Sequence, residues 1–279
     1  MPLRIDHVTI AGSRLEALAT AFAAAGLATE YGGMHSNGIT HMSLLGFDDG
    51  SYVELVSLNR PQERAPNWQA QIVTDGGPCS WAVRVPDVAT EVERLRRAAV
   101  PVNGPHHSAR RRPDQVLVES DMAFVGEHPP GAVHPFVIQD RTARDLRASP
   151  SASVRSTEFT GIAKVVIGVD DVERWARELR DAWDLPAPSA ITYEPFAGQL
   201  LDFPGEPIAL AAPGARSPWL AKRLAQYGPS PCAFLVGSRD FEHSMTRYRL
   251  RRRGDWGGAP VAWFDDSNMR PRGLGVLGV

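Results

Sequence analysis

Four times along this chain an apolar, β-branched run is followed by a stretch whose apolar residues recur at helical spacing. The first copy is His7-Val8-Thr9-Ile10, then Leu15, Leu18, Ala19 and Phe22. The second is Trp81-Ala82-Val83-Arg84-Val85, then Val88, Val92 and Leu95. The third is Val165-Val166-Ile167-Gly168-Val169, then Val172, Trp175, Leu179 and Trp183. The fourth is Phe234-Leu235-Val236, then Phe241, Met245 and Tyr248. A period of two giving way to a period of 3.6 predicts a strand and then a helix in each copy. The joints are short and polar, and Ser13, Asp87, Asp171 and Asp240 suit helix N-caps there.

The copies fall into pairs. Pro78-Cys79-Ser80-Trp81 lines up with Pro231-Cys232-Ala233-Phe234, and the hairpin at Phe47-Asp48-Asp49-Gly50 lines up with Phe203-Pro204-Gly205-Glu206. The offset is 157 from Leu15 to Val172 and 153 from Cys79 to Cys232. Similar offsets mean that a pair of units is duplicated. The polar, small-residue stretch Ala148-Ser149-Pro150-Ser151-Ala152-Ser153 carries no periodicity and marks the boundary. Two domains are expected, at residues 1–147 and 157–279.

In the first hairpin a two-residue turn at Asp49-Gly50 pairs Leu45 with Glu54. Tyr52, Glu54 and Val56 then share a face with His41, Ser43, Leu45 and Phe47, and a bulge would reverse that parity.

Composition narrows the class. The chain has 279 residues, 43% hydrophobic and 22% charged, with a formal net charge of -2. No global field draws it to nucleic acid or membrane, so neither is an expected partner. Met1-Pro2-Leu3-Arg4 leads straight into the first apolar run, with no signal-like stretch and no run of membrane length. The two cysteines read as buried strand residues rather than a disulfide framework, and a reducing cytoplasm is the expected location. The arginine runs at 110–112 and 251–253 read first as solvated surface, with anion binding the alternative; the first run could receive a carboxylate or phosphate on a substrate.

His7 and Glu54 stand apart from this scaffold because the duplicate lacks both. Lys164 occupies the position of His7, and Ala209 that of Glu54. A carboxylate on a strand, flanked by Tyr52, Val53, Leu55 and Val56, needs a metal, a cation or a proton to offset the cost of burial. An imidazole and a carboxylate on neighbouring strands suit a divalent ion, with zinc, manganese, nickel and iron undistinguished. They make half a site. Ser80, matching His7 in the second unit, is a poor ligand, while the run His134–Gln139 offers the Gln139 carbonyl or His134. The metal set expected is His7, Glu54 and Gln139. A protonated Glu54 acting as general base with a raised pKa is the non-metal alternative. Core packing is the expected role of Trp175, Trp183 and Trp219 in the degenerate half.

Several stretches resemble the vicinal oxygen chelate superfamily and, within it, glyoxalase-like domain proteins. They are Ile5-Asp6-His7-Val8-Thr9-Ile10, Gly32-Gly33-Met34-His35, Gly38-Ile39-Thr40, Asp49-Gly50-Ser51-Tyr52-Val53-Glu54-Leu55, Arg111-Arg112-Pro113-Asp114 and Pro135-Phe136-Val137-Ile138-Gln139. The likeness covers roughly residues 3–140, and the second half is similar only in its repeat pattern. It implies an α+β fold of four tandem βαβββ units, paired into two cupped, mixed β-sheet domains around a metal or ligand cleft. It places His7 and Glu54 at ligand positions and His35 on a loop histidine. The chain departs from the family pattern at Ser80, at His41 where asparagine is usual, and at Gln115 where glycine is usual.

The expected function is that of a small-molecule enzyme of glyoxalase-like type, a divalent-metal-dependent lyase, isomerase or hydrolase acting at a carbonyl or vicinal-oxygen substrate. Glu54 and His35 are the catalytic candidates, while His41, Arg112 and Tyr52 are the substrate-binding ones. The alternative is a metal-free protein that sequesters a small molecule in the same cleft. A homodimer built on the second half is a further expectation.

Overall fold

The computed structural model describes residues 3–279, so Met1 and Pro2 of the lead segment lie outside the described residues. The first half supplies strands β1 (Ile5–Ala11), β2 (Glu30–Met34), β3 (Thr40–Gly46), β4 (Tyr52–Leu58), β5 (Gly77–Arg84), β6 (Val102–Arg111), β7 (Leu117–Val125) and β8 (Phe136–Asp140). Its helices are α1 (Leu15–Ala24), α2 (Gln69–Val73), α3 (Val88–Arg97) and α4 (Arg144–Arg147). The second half supplies β9 (Phe159–Gly168), β10 (Ser189–Ala190), β11 (Gln199–Asp202), β12 (Ile208–Ala212), β13 (Ser230–Ser238), β14 (Arg251–Trp256), β15 (Ala259–Trp263) and β16 (Leu274–Gly278). Its helices are α5 (Val172–Trp183), α6 (Pro218–Tyr227) and α7 (Phe241–Arg247).

Each half forms one 8-stranded mixed sheet. The orders, β2-β3-β4-β1-β5-β8-β7-β6 and β10-β11-β12-β9-β13-β16-β15-β14, match position for position. The fold is α+β, two curled sheets made of tandem βαβββ units, as the repeat pattern and the resemblance implied.

Helical faces follow the periodicity. Leu15, Leu18 and Phe22 of α1 are buried, as are Val88, Val92 and Leu95 of α3 and Val172, Trp175, Leu179 and Trp183 of α5. Full burial of one such side chain is worth roughly 1.5–3 kcal/mol. Asp87, Asp171 and Asp240 accept the backbone N–H of Thr90, Arg174 and His243 and so cap α3, α5 and α7. The first helix begins at Arg14 without a side-chain cap, so the role expected of Ser13 is not filled. Both cysteines are buried and free. The helix-covered faces of the two sheets share one continuous core, in which Phe47 meets Phe159 edge-on at 6.3 Å. No helix of the described residues is long and apolar enough to cross a membrane.

The hairpin between β3 and β4 corrects the expected parity. Phe47 N–H donates to Ser51 O, leaving a three-residue loop, Asp48-Asp49-Gly50, with Gly50 at φ 81°. This loop carries one residue more than a two-residue turn, and its glycine adopts the left-handed conformation that such loops need. Leu44, not Leu45, pairs with Glu54. Thr40 and Met42 therefore share the Glu54 face, while Leu45 and Phe47 turn into the helix-covered core.

The other face of each sheet is concave. In the second half it is filled from within, by Tyr193, Phe196, Trp256 and Leu235, with Trp263 packed against them. Trp175 and Trp183 lie in the shared core as expected. Trp219 does not: it is 42% exposed and walls a cleft of about 660 Å³ where the two halves meet.

Candidate active site

The concave face of the first sheet encloses a cavity of about 190 Å³. Parallel pairing of β1 with β4 sets His7 opposite Tyr52 and Thr9 opposite Glu54, which brings His7 and Glu54 into the same cup. Both are buried, at 4% and 6% exposure.

His7 is held on three sides. Its ring stacks on Tyr52 at 4.7 Å and meets Phe136 edge-on at 5.3 Å. Its Nδ1 stands 2.7 Å from Oδ1 of Asp6. Asp6 is fully buried and gathers three guanidinium groups: Arg147 through two bonds of 2.8 and 2.6 Å, Arg144 at 2.5 Å and Arg84 at 3.7 Å. Burial alone would raise the Asp6 pKa, but the Arg147 charge and the His7 hydrogen bond outweigh it and hold the carboxyl well below its ordinary value. An ionised Asp6 only accepts, so His7 Nδ1 is the donor of that bond, and its Nε2 turns into the cup.

Glu54 receives both imidazoles. Its Oε2 lies 4.0 Å from His7 Nε2 and its Oε1 lies 3.3 Å from His35 Nε2. Burial pushes its pKa up, but the His35 charge and hydrogen bond, with smaller contributions from His7 and Arg110, bring it below the ordinary value. The expected alternative of a protonated Glu54 with a raised pKa is thereby corrected: the carboxylate is ionised.

His35 reaches the cup from the loop after β2. Gly33, at a bulge in β2, and Gly38, in the loop, have φ of 97° and 68°, and Asn37 Oδ1 accepts the backbone N–H of Ile39 and Thr40. Thr40 Oγ1 then lies 2.8 Å from His35 Nδ1. Across the cup, Met122, Phe124, Phe136 and Ile138 form an apolar wall. Trp68 and Pro130 also line it, joined by a 3.0 Å bond from Trp68 Nε1 to Pro130 O.

Of the residues singled out in the sequence, His7, Glu54, His35 and Tyr52 meet in this cavity. Three others do not. His41 lies on the opposite face, against Tyr31, because of the three-residue loop. Arg112 donates to Leu146 O and pairs with Asp114 outside the cavity, and its neighbour Arg110 lines the cup instead. Gln139 is turned away by strand alternation, since Phe136 and Ile138 face the cup, and its Oε1 accepts from Val88 N–H at the start of α3. His134, the other option on that run, accepts from Trp183 Nε1 at 3.1 Å, and Ser80 donates to Pro130 O. Asp6 and Arg147 were assigned no role from the sequence, and Arg110 only as one of a run of three arginines. An acid next to His7 within an apolar strand was the signal available for Asp6, whereas the arginines come from 103 and 140 positions further on.

The duplicate bears out the comparison of the two copies. Val166 pairs with Ala209 where Thr9 pairs with Glu54, which puts Lys164 at the place of His7. Lys164 is tied to Asp202 at 2.7 Å, and Trp256 Nε1 donates to the same carboxylate.

A divalent ion needs donors about 3.0–3.5 Å apart if each lies near 2.1 Å from it. His7 Nε2 and Glu54 Oε2 are 4.0 Å apart, and His35 faces the other Glu54 oxygen. Among the described residues no group of three or more His, Cys, Asp or Glu side chains is placed to hold a metal ion. The donor set as it stands does not close into a chelate, and Gln139 supplies no third ligand.

The paired sheets and the cup in the first of them are the architecture of the vicinal oxygen chelate superfamily. The model of the glyoxalase-like domain matches residues 5–183, well over half of the chain, and the chain belongs to that family. Among solved structures it is similar to a hypothetical protein from Staphylococcus aureus, with 12% identity, 99% of both chains covered and a TM-score of 0.65. A mutant of 4-hydroxymandelate synthase from Streptomyces coelicolor gives 11% identity, 100% and 93% coverage and a TM-score of 0.62. A xylose isomerase-like TIM barrel/4-hydroxyphenylpyruvate dioxygenase fusion protein gives 12% identity, 100% and 49% coverage and a TM-score of 0.58. These likenesses concern the fold. No curated protein matches the chain by sequence.

Proposed function

We propose that the first cup is the active site of a small-molecule enzyme that moves a proton at a carbon beside a carbonyl. The observation that carries this reading is the pair of buried acceptors, His7 Nε2 and Glu54 Oε2, 4.0 Å apart and facing one cavity. At about 190 Å³ the cavity lies below the size of drug-like sites, so the substrate is small.

His7 is the better base of the two. Its Nε2 is free, and Asp6 stabilises the imidazolium that forms when it takes a proton. Removal of the proton leaves an enolate, whose negative charge faces the imidazolium formed on His7 and the Arg110 guanidinium that lines the cup. Return of the proton from His7 to the adjacent carbon of a hydroxy-carbonyl substrate, with the hydroxyl proton passing to the other oxygen, completes an isomerisation. Glu54 holds His35 in place.

The test is exchange of C–H protons for deuterium in D2O, followed by proton NMR on small carbonyl compounds. Exchange is expected with the wild type, and His7→Ala should slow it by roughly 10²–10⁴-fold while the fold is kept. Binding without exchange would favour a sequestering protein. About one equivalent of transition metal, lost in His7→Ala, would replace this mechanism with a metal-assisted one.

A further inference from the structure

The charges around the cup do not balance. Asp6 and Asp140 are shared among Arg84, Arg144 and Arg147, and Glu54 faces the two imidazoles. Arg110, on β6, has no carboxylate within 4.0 Å among the described residues. Its guanidinium donates to two backbone carbonyls, Gly32 O at 2.6 Å and, at the limit of bonding, Arg147 O at 3.5 Å. Its Nε–H donates to no protein group among the described residues. Arg110 lines the cavity together with Ser108 and Ser120, which pair across β6 and β7. Burial lowers its pKa from the ordinary value, the direction expected for a cation short of a counter-ion.

We infer that Arg110 receives a carboxylate of the substrate, so that the ligands of the first cup are small carbonyl acids, with Ser108 and Ser120 completing the polar end. The inference rests on the first cup being the ligand site. A planar guanidinium with unused N–H groups in a half-buried wall matches a carboxylate in shape and charge. An occupant with that charge gives Arg110 the counter-ion the protein withholds. The apolar wall of Met122, Phe124 and Phe136 then takes the uncharged part of the molecule.

The Gly32 bond gives Arg110 a second, structural job, because it ties the edge strand β2 to the edge strand β6. The experiment must separate the two. The probes are pyruvate and benzoylformate, each compared with its primary amide, with binding measured by calorimetry on the full chain. The wild type should bind the acids at least tenfold more tightly than the amides. Arg110→Gln should remove that preference, with acid affinity falling about ten- to hundredfold and amide affinity unchanged. Arg110→Lys should restore part of the preference. Equal binding of acids and amides by the wild type would overturn the inference, as would failure to bind either. Equal weakening of both by Arg110→Gln would leave only the structural role and overturn it too. Because binding is read without turnover, acid binding through Arg110 with no deuterium exchange would refute the proton-transfer mechanism and leave this inference standing.

Discussion

Asp6 fixes the orientation of His7, and it does so at a cost that its arginines offset. A carboxylate with no exposure is tolerable because Arg147 and Arg144 bond it directly. Asp6→Ala strands those guanidiniums and should destabilise the protein by about 3–5 kcal/mol, measured by denaturant unfolding. The Asp6 pKa in the folded protein lies below the unfolded value of about 3.9. Its contribution is therefore complete above that value and is lost as pH falls through it toward the folded pKa. Asp6→Asn should flatten the acid side of the stability curve below about pH 5. His134 acts at higher pH. Burial, helped by His128, lowers its pKa from 6.5 to about 4, and Trp183 donates to its ring. The unfolded chain binds that proton first, so stability should fall by up to roughly 3 kcal/mol as pH drops from 6.5 to about 4. His134→Gln should remove that slope in calorimetric scans.

Among the elements, the β3–β4 hairpin shows both what the sequence disclosed and what it concealed. Its existence, its strands and its Asp-Gly turn are written in the alternation and in the turn residues. Its parity is not, because Asp49-Gly50 suits a two-residue turn and also the last two places of a three-residue loop. That one residue moved His41 out of the site and Thr40 into it. Gln139 was misplaced for a similar reason, as alternation on β8 cannot be anchored until one residue of the strand is known to face the cup. His7 and Glu54 were legible because the duplicate supplied an internal contrast. Arg110 was not, since three consecutive arginines look alike until strand pairing aims one of them inward. Gly50 at φ 81° has open space beside its α-carbon, with only the ends of Arg84 and Arg144 near. Gly50→Ala should therefore cost about 1 kcal/mol, from backbone strain alone, read as a lower melting temperature.

On the scale of the whole molecule, the two halves are bound by more than the segment that joins them. Their helix-covered faces form one core, and Arg223 of α6 donates to Gly76 O and Pro78 O of the first half. A single calorimetric transition is expected for the full chain, and residues 1–147 expressed alone should expose apolar surface and bind a hydrophobic dye. The second cup is filled by its own rings and by Lys164 with Asp202. Titration with a ligand of the first cup should saturate at one equivalent.

The bond from Arg147 to Asp6 joins residues 141 positions apart. During synthesis the strand carrying His7 is made before Arg144 and Arg147, which bond Asp6 and arrive only after all eight strands of the first sheet. Until then Asp6 is a lone acid with every reason to stay in water. The surroundings of His7 are thus incomplete until the first half is whole, and a chain truncated short of α4 would leave the Asp6 carboxylate without Arg144 and Arg147.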